Sequence, residues 1–144
     1  RTDHAHSGAI MAYNILKEMG MPVEERTEIM MAIGNHDENT GTAVSDISAA
    51  LILADKSDVH RDRVTNKKLS TFDIHDRVNY AVTDAKLNLD AETRNITLKL
   101  TIDINLCPVL DYFEIFMART MMSKYAAKYL GIWFSLIIND TKLL

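Results

Sequence analysis

A chain of 144 residues with 47% apolar and 25% charged residues has the composition of an ordinary globular protein, and at this length roughly 70% of the unfolded surface is buried, so a core forms without disulfide or metal staples. The net charge of −4 argues against a nucleic-acid-binding face spread over the molecule, and the apolar run from Ala49 to Ala54 is far too short to span a bilayer. The single cysteine, Cys107, excludes an internal disulfide and, with no leader peptide heading the chain, makes the cytoplasm the expected compartment.

Along the chain, Ile10, Met11, Ile15 and Met19 recur at helical spacing in a first helix from about Ala5 to Met19, which Gly20 and then Pro22 should stop. Val23 to Asn35 reads as a second helix. Glu24 and Glu25 complement its dipole, and Ile29, Met30 and Ile33 form its apolar side. A polar loop from Asp37 to Thr42 leads into a third helix from about Val44 to Val59, capped by Ser45 or Thr42, whose middle is apolar all round and is therefore expected to be buried. The charged stretch from Arg61 to Ser70 reads as a connector and a subdomain boundary, followed by a short helix near Phe72 to Val78. The hydrophobic period then changes from that of a helix to that of a strand. Ala85, Leu87 and Leu89 alternate with polar residues, as do Ile96, Leu98, Leu100, Ile102 and Ile104, and a hairpin connection joins the two runs. Pro108 opens a long helix reaching Leu130, Gly131 ends it, and Ile132 to Ile138 forms a last strand. One helical crossover returns the chain to its starting end, so this strand is expected to run parallel to 96–104. The aromatic and methionine stripes of the long helix (Tyr112, Phe113, Phe116, Met117, Tyr125 and Tyr129) read as core. The fold class is thus α+β: a helical part over residues 1–64 and a β-β-α-β tail over 65–144.

The strongest chemical anomaly is Asp55, which follows six apolar residues and has Leu51, Ile52 and Val59 at helical neighbour positions. An ionised carboxylate there is costly unless a cation or several donors meet it. His4 stands at a helix start and His36 in a loop mouth, and imidazole together with carboxylate suits zinc, iron or manganese better than calcium. Lys56 and Arg61, one or two turns along from Asp55, are placed to hold phosphate oxygens. Each of these residues alone is more simply a solvated or capping side chain, and His6 and His60 read as bystanders.

The combination carries more. Arg1-Thr-Asp-His4-Ala-His-Ser-Gly8-Ala9, Ile33-Gly-Asn-His36-Asp-Glu-Asn-Thr-Gly41 and Leu53-Ala54-Asp55-Lys56-Ser-Asp58-Val-His-Arg61 occur in that order. They resemble successive motifs of the HD-superfamily metal-dependent phosphohydrolases, and most closely the bacterial HD proteins related to diadenosine tetraphosphate hydrolases. The resemblance implies that residues 1–64 are the C-terminal part of an all-α HD-type metal-binding domain. It also implies that His4 and His36 match ligands of one divalent ion and Asp55 a ligand of a second, the ions being iron, manganese or zinc. Two such ions can activate an attacking oxygen and neutralise a phosphoryl group. The implied activity is hydrolysis of a phosphate ester or anhydride in a phosphorylated small molecule or nucleotide, by a parent protein that admits a homo-oligomer. The opening histidine and the paired His-Asp of the family have no counterpart here. His36-Asp37 and His75-Asp76 spell the pair in the wrong order of motifs, so this chain alone is expected to be inactive. The alternatives are a non-catalytic HD module that binds a ligand or partner, and a di-iron oxygenase-type HD protein.

Overall fold

The computed structural model describes residues 3–66 and 68–144, and among them it is an α+β fold of five α-helices and a four-stranded sheet. Helices α1 (His4–Glu18) and α2 (Val23–Gly34) pack against each other. α1 ends where the sequence indicates: Gly20 adopts φ +79°, its N–H donates to the Lys17 carbonyl, and the Met21 N–H reaches back to the Leu16 carbonyl at 3.0 Å. This is a Schellman ending, which needs a residue that tolerates the left-handed region. The packing face of α1 differs from the one expected. Ala5 and Ala9 are buried, with Ala32 of α2, whereas Ile10, Met11, Ile15 and Met19 are all more than half exposed. The physical reason is close approach. Small side chains four residues apart let the two helices touch, and the larger apolar residues lie off that line.

α3 (Asp46–Ser57) is capped by Ser45, whose Oγ accepts from the Ser48 N–H at 3.1 Å. It is buried on one side rather than all round, with Ala49, Ile52 and Leu53 inside and Ala50 and Ala54 exposed. That side packs on the long helix α5 (Val109–Tyr129), so Ile52 and Leu53 share one apolar core with Tyr112, Phe116 and Ala126 and with the sheet residues Leu98, Leu100 and Leu136. The charged stretch between holds two 3-10 turns, Arg61–Arg63 and Leu69–Thr71, and leads to α4 (Ile74–Ala81), capped by Asp73. Of the stripes on α5, Tyr112 and Phe116 are core residues, whereas Met117, Tyr125 and Tyr129 are exposed.

The strands β1 (Val82–Asp90), β2 (Asn95–Ile102), β3 (Trp133–Ile138) and β4 (Thr141–Lys142) lie side by side in that order. β1 and β2 form the antiparallel hairpin, with Asp90 Oδ1 accepting from the N–H groups of Glu92 and Thr93 in the turn. β3 runs parallel to β2, as the single helical crossover requires. Ile96 lies beside Phe134, Leu98 beside Leu136 and Leu100 beside Ile138, all six buried in the core that α5 and β3 share.

β4 has no precedent in the sequence pattern. Asn139 and Asp140 take φ +48° and +63°, which makes a two-residue hairpin turn whose twist suits the flanking strands. The Asn139 carboxamide also bridges to β2, accepting from the Ile102 N–H at 2.8 Å and donating to the Ile102 carbonyl at 3.0 Å. Asn139→Ala should therefore lower the unfolding free energy by about 1–3 kcal/mol, through two lost hydrogen bonds and a poorer left-handed residue. Asn139→Asp, which keeps the turn and the acceptor, should lose less. Urea denaturation of the two variants checks the ranking.

Candidate functional site

The loop 35–41 between α2 and α3 is built around its own backbone. The Gly41 N–H donates to the Asp37 carbonyl at 2.8 Å, and Asp37 Oδ1 accepts from the Asn39 N–H at 2.9 Å. The Asn39 N–H is the main reason the Asp37 carboxyl lies below the usual carboxylate range. Burial opposes the shift, and the charges of His4 and Lys56 assist it. At the mouth of this loop His36 Nδ1 donates to the Ile33 carbonyl at 2.5 Å. A carbonyl only accepts, so Nδ1 carries the proton in that bond and Nε2 is the ring nitrogen turned toward α1. His4, in the first turn of α1, meets it there: the two Nε2 atoms are 3.1 Å apart, with the rings edge to face at 83°. Two imidazole nitrogens sharing one tetrahedral ion would stand about 3.3 Å apart.

A second cluster adjoins the first. The Lys56 side chain is only 3% exposed, and its ammonium sits 2.7 Å from both Asp55 Oδ2 and Glu38 Oε2. Burial pushes both carboxyls up. The Lys56 hydrogen bond and charge outweigh it, and both carboxyls end below their ordinary values. Arg119 contributes to each shift and His36 to that of Asp55. Asp55 is thus ionised on an otherwise apolar stretch of helix because Lys56, together with the solvent that reaches its half-exposed side chain, compensates it. Arg119, on α5, donates from Nη2 to the Asp55 main-chain carbonyl at 2.9 Å, its guanidinium lies 5.3 Å from the Phe116 ring centre, and its Nε is buried without a protein partner. Sequence reading passed over Arg119. The available signal was an arginine three residues from Phe116 on the stripe that also carries Tyr112.

The structure therefore brings the His4 and His36 rings together and puts His36 near enough to act on the Asp55 charge. It gives Lys56 to two carboxylates. Arg61 lies elsewhere: its guanidinium stacks 5.1 Å from the Tyr80 ring centre, on a cavity also lined by Asp62 and Phe72. His6 contacts Asp3, and His60 bonds the Thr83 carbonyl. His75 and Asp76 line a cavity of about 490 Å³ together with Glu38 and Arg119.

No family model, curated protein or solved structure matches this chain. The likeness to HD-superfamily proteins rests on the three motifs themselves. Among the described residues no three His, Cys, Asp or Glu side chains are grouped to hold an ion. The two histidine nitrogens suit a shared ion, but Asp55 is turned onto Lys56, so the residues as placed do not complete a metal site. Among the same residues no helix is long and apolar enough to cross a membrane.

Proposed function

We propose that this chain carries the two-histidine part of a divalent-metal centre in an HD-type phosphohydrolase acting on a phosphate ester or anhydride of a nucleotide-like molecule. The remaining ligands would come from outside this sequence. The observation that supports the reading is the meeting of His4 and His36 Nε2 at 3.1 Å, from positions 32 residues apart, with the His36 tautomer set by the Ile33 carbonyl. The contact is within hydrogen-bond reach, and a shared ion accounts for the same approach of the two nitrogens. In this reading Lys56 holds the Asp55 carboxylate charged and in place, and Arg119 fixes the backbone beneath it. The engagement of Asp55 and Lys56 with each other favours one competing reading, a non-catalytic HD module.

The test is a titration of the chain with Zn²⁺ and Mn²⁺ by calorimetry, together with a phosphate-release assay. Two imidazoles without a carboxylate should bind weakly, and His4→Ala or His36→Ala should abolish that binding while His75→Ala leaves it unchanged. The chain alone should release little or no phosphate, and a longer form containing the further ligands should bind metal tightly and turn over. Robust turnover by the chain alone would sink the ligand count. A longer form without metal or activity would favour the binding module.

A further inference from the structure

The corner where α5 runs into β3 holds a second candidate site that shares no residue with the histidine cluster. Trp133 is the chain's only tryptophan and is 77% exposed, although a large indole is usually mostly buried. The tight ending of α5 explains its position. Gly131 takes φ +68°, the Ile132 N–H returns to the Ala127 carbonyl, and the strand begins at once, so the first strand residues stand beside the last turns of the helix. Between them lies a cavity of about 400 Å³. Trp133, Tyr125, Ile132 and Phe134 make its apolar lining, and Lys124 and Lys128, one helical turn apart, stand at its edge.

The lining carries two cations and no carboxylate, in a chain whose net charge is −4. Among the described residues neither lysine takes part in an ion pair. Compensation of the helix dipole accounts for a lysine in the last turn, yet it accounts for neither the exposed indole nor the cavity. Aromatic faces beside unpaired ammonium groups, in a pocket of small-molecule size, are complementary to a planar aromatic ring that bears an anion. We propose that this corner binds a free nucleotide, its base stacked on Trp133 and Tyr125 and its phosphate held by Lys124 and Lys128. A nucleic-acid strand is the poorer fit, because the overall acidic charge repels a polyanion beyond the two lysines. The inference does not rest on the metal-centre reading and survives its failure.

Trp133 is its own reporter, since no other tryptophan contributes to the emission. The full chain is titrated with AMP, ATP, adenosine and inorganic tripolyphosphate while Trp133 fluorescence is followed. AMP and ATP should quench it saturably, adenosine should bind more weakly, and tripolyphosphate should not quench. The double variant Lys124→Glu/Lys128→Glu, both at exposed helix positions, should weaken AMP binding at least about tenfold with its circular dichroism unchanged. Trp133→Ala should remove the binding seen by calorimetry. Four results would overturn the assignment. These are absence of saturable quenching, equal binding of tripolyphosphate, and affinity for oligonucleotides that rises with their length. The fourth is a concentration-dependent dimer that buries Trp133, which would make this face a contact between copies.

Discussion

Replacing Lys56 by Met should lower the unfolding free energy at pH 7 by about 2–3 kcal/mol. Methionine keeps most of the side-chain volume, so the change isolates the charge. Breaking a fully buried ion pair from one side costs about 3–5 kcal/mol, because the surviving charge is left without a partner. Here the partners Asp55 and Glu38 are 36% and 27% exposed, and solvent screening reduces the cost. The pH dependence separates this from simple loss of packing. Both carboxyls have folded-state values below their ordinary ones, the opposing effect of burial being outweighed by the Lys56 hydrogen bond and charge. A depressed carboxyl contributes stability that is present above its unfolded value, near pH 4, and lost as the pH falls through the folded value. In Lys56→Met burial acts on both carboxyls without Lys56 to oppose it, so the gap should be full at pH 7, should narrow as the pH falls towards the ordinary carboxylate range and should close below the depressed folded-state values of the wild type. Urea denaturation across that range measures it. A gap that stays constant into acid would mean that Lys56 contributes packing and not charge.

Different parts of the molecule were legible to different degrees, for physical reasons. The sheet could be read because one face is buried, which forces Ile96, Leu98, Leu100 and Ile102 to alternate with polar residues. The parallel pairing of β2 with β3 followed from geometry, since one helix between two strands brings the chain back to the same end. β4 could not be read, because two residues carry no period and its turn, Asn139-Asp140, lacks the glycine that marks the strongest hairpin signals. α1 was legible as a helix, but periodicity shows where apolar side chains lie and not which of them are covered. The contact fell to Ala5 and Ala9. The anomaly at Asp55 was visible locally, yet Glu38, the other carboxylate on Lys56, stands 18 residues before that lysine in a polar loop. Arg119 is 64 residues away from the carbonyl it holds, a distance over which no spacing rule operates.

The sharpest separation of the motif residues is expected from their glycines, because Gly8 and Gly41 stand in opposite structural situations. A Cβ at Gly41 would lie 2.1 Å from the Asn35 carbonyl oxygen, 2.5 Å from the Asn35 carbonyl carbon and 2.9 Å from the Asp37 carbonyl oxygen. All three are backbone atoms and none can swing aside, so the loop 35–41 has to open. Gly41→Ala should destabilise the chain by about 3 kcal/mol, near the upper end of ordinary overpacking costs. Because His36 directly follows Asn35, the same change should pull its ring away from His4. A Cβ at Gly8 would meet only Ile33 Cγ2 at 3.6 Å, an ordinary contact in the interior of a helix. There alanine replaces the residue that costs a helix most in backbone entropy, so Gly8→Ala should be neutral or should stabilise by up to about 1 kcal/mol. Thermal melts give the stabilities, and the imidazole resonances of His4 and His36 report on the pair. Zinc titration adds a readout that stability does not supply: Gly41→Ala should lose metal affinity as His36→Ala does, at a temperature where it remains folded, and Gly8→Ala should keep it. If Gly41→Ala melts with the wild type and leaves both imidazole signals in place, the close approach of Gly41 to Asn35 is not a feature of the native loop, and that loop is not what positions His36.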